Sequence, residues 1–149
     1  MKILLALISP RRQPAGPTTA LLTLYLDRAT RYTPTTMRTF PTEVALLAFA
    51  TGATARTRPA LLLADSRGQQ LSSEELAAAL GLFQDNGTQQ LILAIGPADG
   101  WSDAALAAAT RIIAFGRITL PHELAAVVAA EQLYRALTIR AGHPYHSGH

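Results

Sequence analysis

Arg135, Tyr145 and His146 stand close together near the carboxyl end of this 149-residue chain. A guanidinium is a permanent cation that binds phosphate or stabilises a developing anion. A phenol ring can stack on a flat base, and an imidazole, titrating near about pH 6.5, can accept a proton. The same residues also have plainer uses, since Glu131 lies four residues before Arg135 on one helical face and can pair with it. Tyr145 can simply pack at a subunit seam. His143, His146 and His149 are spaced by three, but the chain has no cysteine and no carboxylate after Glu131, so no metal site is expected.

A second set of residues lies in three loops, each following a short apolar run. They are Ala64-Asp65-Ser66-Arg67-Gly68, Ile95-Gly96-Pro97-Ala98-Asp99-Gly100, and Gly116-Arg117-Ile118-Thr119-Leu120-Pro121. Glycine lets backbone come close to a ligand and adopt positive φ. Singly, each is an ordinary strand-to-helix turn. Asp65 and Asp99 can face a ligand or cap a helix, and Trp101 can close the core or a pocket wall.

The elements that must position these loops are legible from periodicity. Continuous apolar runs at 3–8, 61–64, 91–95 and 112–115 read as strands covered on both faces. Helical patterns fill 18–32, 74–83, a stretch from Ser102-Asp103 to Ala109, and 122–139, where Pro121 suits a helix start. Ser72 and Glu75 form a capping box. The alternation predicts one α/β domain, residues 1–149, with a mostly parallel sheet, flanking helices and ligand loops at the carboxyl ends of the strands. Residues 10–17 are the loosest stretch. At 49% hydrophobic and 15% charged the chain is globular rather than disordered. Residues 1–8 read as a first strand rather than a signal peptide, because the apolar run is short and is followed by Arg11-Arg12. No run approaches the ~20 apolar residues of a membrane span, and the lack of cysteine fits a reducing cytoplasm, the location expected. The net charge of +3 and pI of about 9.8 permit contact with RNA phosphates.

The order Thr119-Leu120-Pro121-His122, Glu131-Gln132-Leu133-Tyr134-Arg135-Ala136, His143-Pro144-Tyr145-His146 resembles the end of the SPOUT class of RNA methyltransferases. Within it, the resemblance is to the ribosomal large-subunit methyltransferase H family, which methylates N3 of a 23S rRNA pseudouridine. It covers residues 61–146 well and 1–40 loosely. It implies a carboxyl-terminal trefoil knot, S-adenosylmethionine as cofactor, a homodimer joined near 125–137, and large-subunit rRNA in assembled ribosomes as substrate. It places the cofactor against Ala64, Gly96, Pro97, Gly100, Gly116, Arg117, Ile118, Thr119, Leu120 and Pro121, and the chemistry on Arg135, Tyr145 and His146.

Several positions depart from the family pattern. Gly96-Pro97 replaces two glycines, so either the loop accepts proline or cofactor affinity falls. Gly116 replaces a serine. Two family arginines are Ala126 and Ser147 here, and a lysine-rich stretch is the mostly apolar 43–50, followed by Arg56 and Arg58. Each lost cation removes a candidate phosphate contact, for which Arg11, Arg12, Arg28, Arg31 and Arg38 can compensate. The alternative reading is a non-catalytic homologue that binds cofactor or RNA; a third is methylation of another RNA target.

Overall fold

A computed structural model of the chain describes residues 1–10, 16–52 and 57–147. Arg11, Arg12, Arg56 and His149, and most of the loose stretch at 10–17, lie outside the described residues. The elements run β1 (Lys2–Ile8), α1 (Thr18–Thr30), β2 (Thr35–Phe40), α2 (Glu43–Thr51), β3 (Ala60–Gln70), α3 (Ser73–Asp85), β4 (Gln90–Ile95), α4 (Asp103–Ala108), β5 (Arg111–Ala114) and α5 (His122–Arg140). All strand pairings are parallel, in the order β2-β1-β4-β3-β5.

Side chains alternate across each strand, and the apolar runs therefore feed two cores. Ile3, Leu5, Leu7, Leu62, Leu91 and Leu93 face α1, α3 and α5. Leu4, Ala6, Ile8, Leu61, Leu63 and Ile92 face Leu46 and Ala50 of α2, Ala105 of α4, and Trp101. Burial on both faces explains why these strands read as unbroken apolar runs. Ser72 caps α3, accepting from Glu75 N–H while the Glu75 carboxylate accepts from Ser72 N–H.

Three features depart from the sequence reading. Thr35–Phe40 is an edge strand that was not among the expected runs; only Thr35 and Phe40 of its six residues are buried. The apolar 43–50 stretch belongs to a helix, capped by Thr42, whose hydroxyl accepts from Ala45 N–H. Residues 65–68, expected as a loop, belong to β3, which shifts register against β5 between Ala64 and Gln69. Gly68 permits that continuation: a Cβ there would lie 2.7 Å from backbone atoms of Ile113. Because the obstacle is backbone rather than a movable side chain, Gly68→Ala is expected to destabilise the fold by about 1–3 kcal/mol. The measurement is the urea midpoint at unchanged slope.

Candidate functional site

The carboxyl ends of β4 and β5 and the middle of β3 open onto one cleft of about 190 Å³. Its lining includes Ala64, Gly96, Pro97, Gly100, Gly116, Ile118, Thr119 and Leu120, so eight of the ten loop residues singled out in the sequence converge there. Arg117 and Pro121 are exposed and are not among its lining residues. Asp65, Ser66, Ile95, Ala98, Trp101, Phe115, His122 and Ala125 complete it.

Local chemistry explains the shape of the loops. Pro97 C=O accepts from Gly100 N–H at 2.9 Å, closing a turn. No described non-glycine residue has positive φ, so Pro97 sits in ordinary backbone and this loop accepts proline. Positive φ falls instead on Gly100 and Gly116, at +83° and +109°, and nothing lies within 4 Å of where their Cβ atoms would stand. Backbone there faces open space. At Gly96 the reverse holds, since a Cβ would meet the Trp101 ring at 2.7 Å. Trp101 is held in turn by its indole N–H, which donates to Ala64 C=O at 2.9 Å. The start of α5 is tied in by a 2.9 Å hydrogen bond between His122 Nδ1 and Gly96 C=O. A carbonyl only accepts, so this contact puts the proton on Nδ1. Behind the cleft, the Glu43 carboxylate accepts from Ser102 N–H at 2.9 Å and from the Ser102 hydroxyl, anchoring α4 to α2.

The charge in the cleft is carboxylate. Asp65 accepts from Arg67 Nε at 2.9 Å and Nη2 at 2.8 Å. These bonds hold its carboxyl below its ordinary range against the opposing effect of burial, so it is ionised at neutral pH. Apolar walls and glycine backbone open to the cleft at Gly100 and Gly116 suit an adenosyl group, with the Arg67-paired Asp65 as a polar wall. The residues present therefore fit S-adenosylmethionine.

Arg135, Tyr145 and His146 form a second cluster on the middle of α5. Arg135 Nε and Nη2 donate to Glu131 Oε1 at 2.9 and 2.6 Å, so the i,i+4 pairing is realised. Tyr145 OH donates to the same oxygen at 2.9 Å. The Tyr145 ring lies 4.6 Å from that of Tyr134, and the Arg135 guanidinium stands 4.8 Å from the Tyr145 centroid. His146 Nδ1 lies 3.1 Å from Arg135 Nη1, and its Nε2 2.8 Å from Glu74 Oε1 on α3. His143 Nδ1 accepts from Tyr145 N–H, fixing the turn between them. Glu74 carries no motif that could have flagged it, because it meets His146 across 72 positions of sequence. His122, by contrast, was visible within the Thr-Leu-Pro-His segment.

The two clusters are separated along α5. At 1.5 Å rise per residue, Ala125 in the cleft lies roughly 15 Å from Arg135. Methyl transfer requires reacting atoms about 3–3.5 Å apart. One subunit's cluster therefore does not reach its own cleft in this arrangement.

The family arginine position occupied by Ala126 is 1% exposed and packs in the core, so it offers no phosphate contact here. The Arg28 guanidinium lies 5.8 Å from the ring centroids of both Tyr25 and Tyr134, and that of Arg38 lies 4.6 and 4.9 Å from those of Phe40 and Phe49. The apolar face of α5 near 125–137, expected to join subunits, is largely used inside the subunit: Ala129, Ala130, Leu133 and Leu137 are buried. Ile118, in the cleft lining, and Leu124, next in sequence to the lining residue Ala125, are exposed apolar side chains.

A sequence model described as "Predicted SPOUT methyltransferase" matches residues 1–146. A relative called ribosomal RNA large subunit methyltransferase H, from Koribacter versatilis, is 52% identical over 125 residues, covering 84% of this chain and 85% of its own. A relative of the same name from Chelativorans sp. is 42% identical, covering 91% of this chain and 86% of its own. Among solved structures, the SpoU methyltransferase AviRb from Streptomyces viridochromogenes, in complex with the cofactor AdoMet, matches with a TM-score of 0.50. That match covers 96% of this chain and 58% of the other at 15% identity, a likeness of fold.

Burial, followed by the hydrogen bond to Glu131, pushes the Tyr145 phenol up to about 12. An unfolded tyrosine ionises near about pH 10. Between those values the unfolded chain holds fewer protons than the folded one, so stability falls as pH rises. Tyr145→Phe should flatten that alkaline decline, read by urea melts at about pH 9 and about pH 11.

Proposed function

The chain belongs to the SPOUT methyltransferase family, and on that premise we propose that it transfers a methyl group from S-adenosylmethionine to N3 of a pseudouridine in large-subunit rRNA. The observation that carries this reading is the cleft where residues 64–66 of β3 meet the loops after β4 and β5. S-adenosylmethionine supplies an electrophilic methyl carbon when bound. The chain's contribution is to hold the donor by backbone groups at Gly100 and Gly116, enclose it with Trp101 and Phe115, and place the Asp65 carboxylate nearby.

The acceptor needs its N3 proton removed and the resulting charge stabilised. Arg135, Tyr145 and His146 supply a cation, a stacking ring and a proton acceptor. Since they lie roughly 15 Å along α5 from the cleft, we assign them to the cleft of a second copy, in a homodimer. Ile118 in the cleft lining and Leu124 beside Ala125 expose apolar surface, at 69% and 47% exposure, and suit the seam that brings the partner's tail there. The carboxyl-terminal knot of the family belongs to the same reading. So does an assembled ribosome as substrate in the bacterial cytoplasm; no described helix is long and apolar enough to cross a membrane.

Two outcomes are expected. Calorimetry detects donor binding, and tritiated-methyl transfer labels ribosomes lacking the modification, with the product nucleotide identified by mass spectrometry. Mixing a cleft variant, Gly116→Val, with a tail variant, Arg135→Ala, restores part of the activity that each lacks alone, because a mixed dimer contains one intact composite site. A clean monomer in sedimentation at micromolar concentration overturns the two-subunit site. Donor binding without any turnover moves the assignment to a non-catalytic homologue.

Ser147 is exposed beside His146, where the family carries an arginine. A charged hydrogen bond is worth roughly 1.5–3 kcal/mol, about one to two decades in rate. Ser147→Arg is expected to raise methyl transfer to ribosomes by that factor with donor affinity unchanged. A gain in donor binding alone would count against it.

A further inference from the structure

The hydrogen-bond bookkeeping around His146 singles out a residue outside every motif. A guanidinium has donors and no acceptor. Arg135 Nη1, 3.1 Å from His146 Nδ1, can only donate, so Nδ1 presents its lone pair. In the neutral ring the proton then sits on Nε2, which lies 2.8 Å from the Glu74 carboxylate and donates to it. We propose that Glu74, at the start of α3, is a positioning residue that orients the His146 ring so that Nδ1 is the proton acceptor for the base being methylated. The inference rests on the methyltransferase reading above.

The charged and titratable groups around the ring complete the picture. From α5 come Arg135 and, through it, Glu131; from α3 comes Glu74; within the tail stand His143 and Tyr145. Glu131 already holds Arg135 and Tyr145, which leaves Glu74 as the carboxylate bonded to the imidazole. An imide N–H flanked by two carbonyls matches what the cluster presents. On substrate binding the base's N–H takes the Nδ1 lone pair that Arg135 Nη1 occupies here, and Nη1 is released to the neighbouring carbonyl oxygen.

The step balances. The N3 proton passes to Nδ1, and the electron pair left on N3 forms the bond to the methyl carbon. The carbon–sulfur bond breaks with its pair going to sulfur, giving the neutral thioether. The imidazolium keeps its Nε2–H on Glu74 and later returns the other proton to solvent. A carboxylate on one ring nitrogen, as in the serine-protease triad, keeps the second nitrogen aimed and stabilises the cation that forms.

The test uses the intact dimer and ribosomes lacking the modification, with Glu74→Ala, Glu74→Gln, His146→Ala and the Glu74→Ala/His146→Ala double variant. A positioned base typically contributes 10²–10⁴-fold, so losing its orientation should lower kcat by about tenfold or more. Donor affinity and KM for ribosomes should stay as in the wild type. Glu74→Gln, which still accepts from Nε2–H but lacks the charge, should recover part of the loss. The double variant should be no slower than His146→Ala, because Glu74 acts only through the ring. Losses that multiply, a change in KM alone, or an unchanged kcat would overturn the inference while leaving the methyltransferase reading intact. A wild type that binds donor and transfers nothing would overturn both.

Discussion

Close packing of α5 against the sheet and its two neighbours governs both functional clusters. Ala126, Ala129, Ala130 and Ala136 are essentially unexposed, and Leu133 fills the space between them. Side chains this small let the helix sit low between α1 and α3, with which it makes its main helix contacts. Its first turn then meets the loop after β4 through His122, and its middle presents Glu131 and Arg135 to the returning tail. A bulky residue on the buried face would lift the helix and move both ends at once, since well-packed interiors transmit such changes rather than absorb them.

The two clusters use different physics. The cleft is made of backbone and apolar walls, with Asp65 as its ionised group, itself neutralised by Arg67. Recognition there depends on shape and on loop conformations that glycine permits. The tail cluster consists of side chains. One oxygen of Glu131 accepts from Arg135 and Tyr145, and Arg135 passes the restraint to His146 and so to Glu74. Partial burial makes the contacts among Glu131, Arg135 and Tyr145 stronger than exposed pairs of the same chemistry, whereas the His146–Glu74 contact is exposed. The tail is built of turns, and these bonds, the Tyr134–Tyr145 ring contact and the bond from His143 N–H to Thr138 C=O help to hold it.

The cations missing from the family pattern have unequal consequences. Ala126 is part of the core, and its small size is a packing requirement of this helix. Ser147 is exposed beside His146, so a side chain there is free of packing demands. Arg28 and Arg38 lie over aromatic rings, which restrains them without consuming their hydrogen-bond donors. Their guanidiniums remain able to meet phosphate.

The sequence by itself determined the parallel α/β architecture, because strands buried on both faces must be continuously apolar and helices covering one face must repeat their apolar positions. Capping at Ser72 was equally plain, since it depends only on residues three apart. The loop residues of the cleft were legible from their places after apolar runs and from the family resemblance. Thr35–Phe40 escaped because an edge strand needs little burial, and the 43–50 helix because an apolar stretch of that length fits either periodicity. The extension of β3 past Ala64 was decided by Gly68 meeting Ile113, a contact 45 positions away. Tertiary structure alone decided that the apolar face of α5 is largely used inside the subunit and that Glu74 meets His146. Each of these depends on groups distant in sequence brought to within about 3 Å or packed out of water, and no local spacing encodes that.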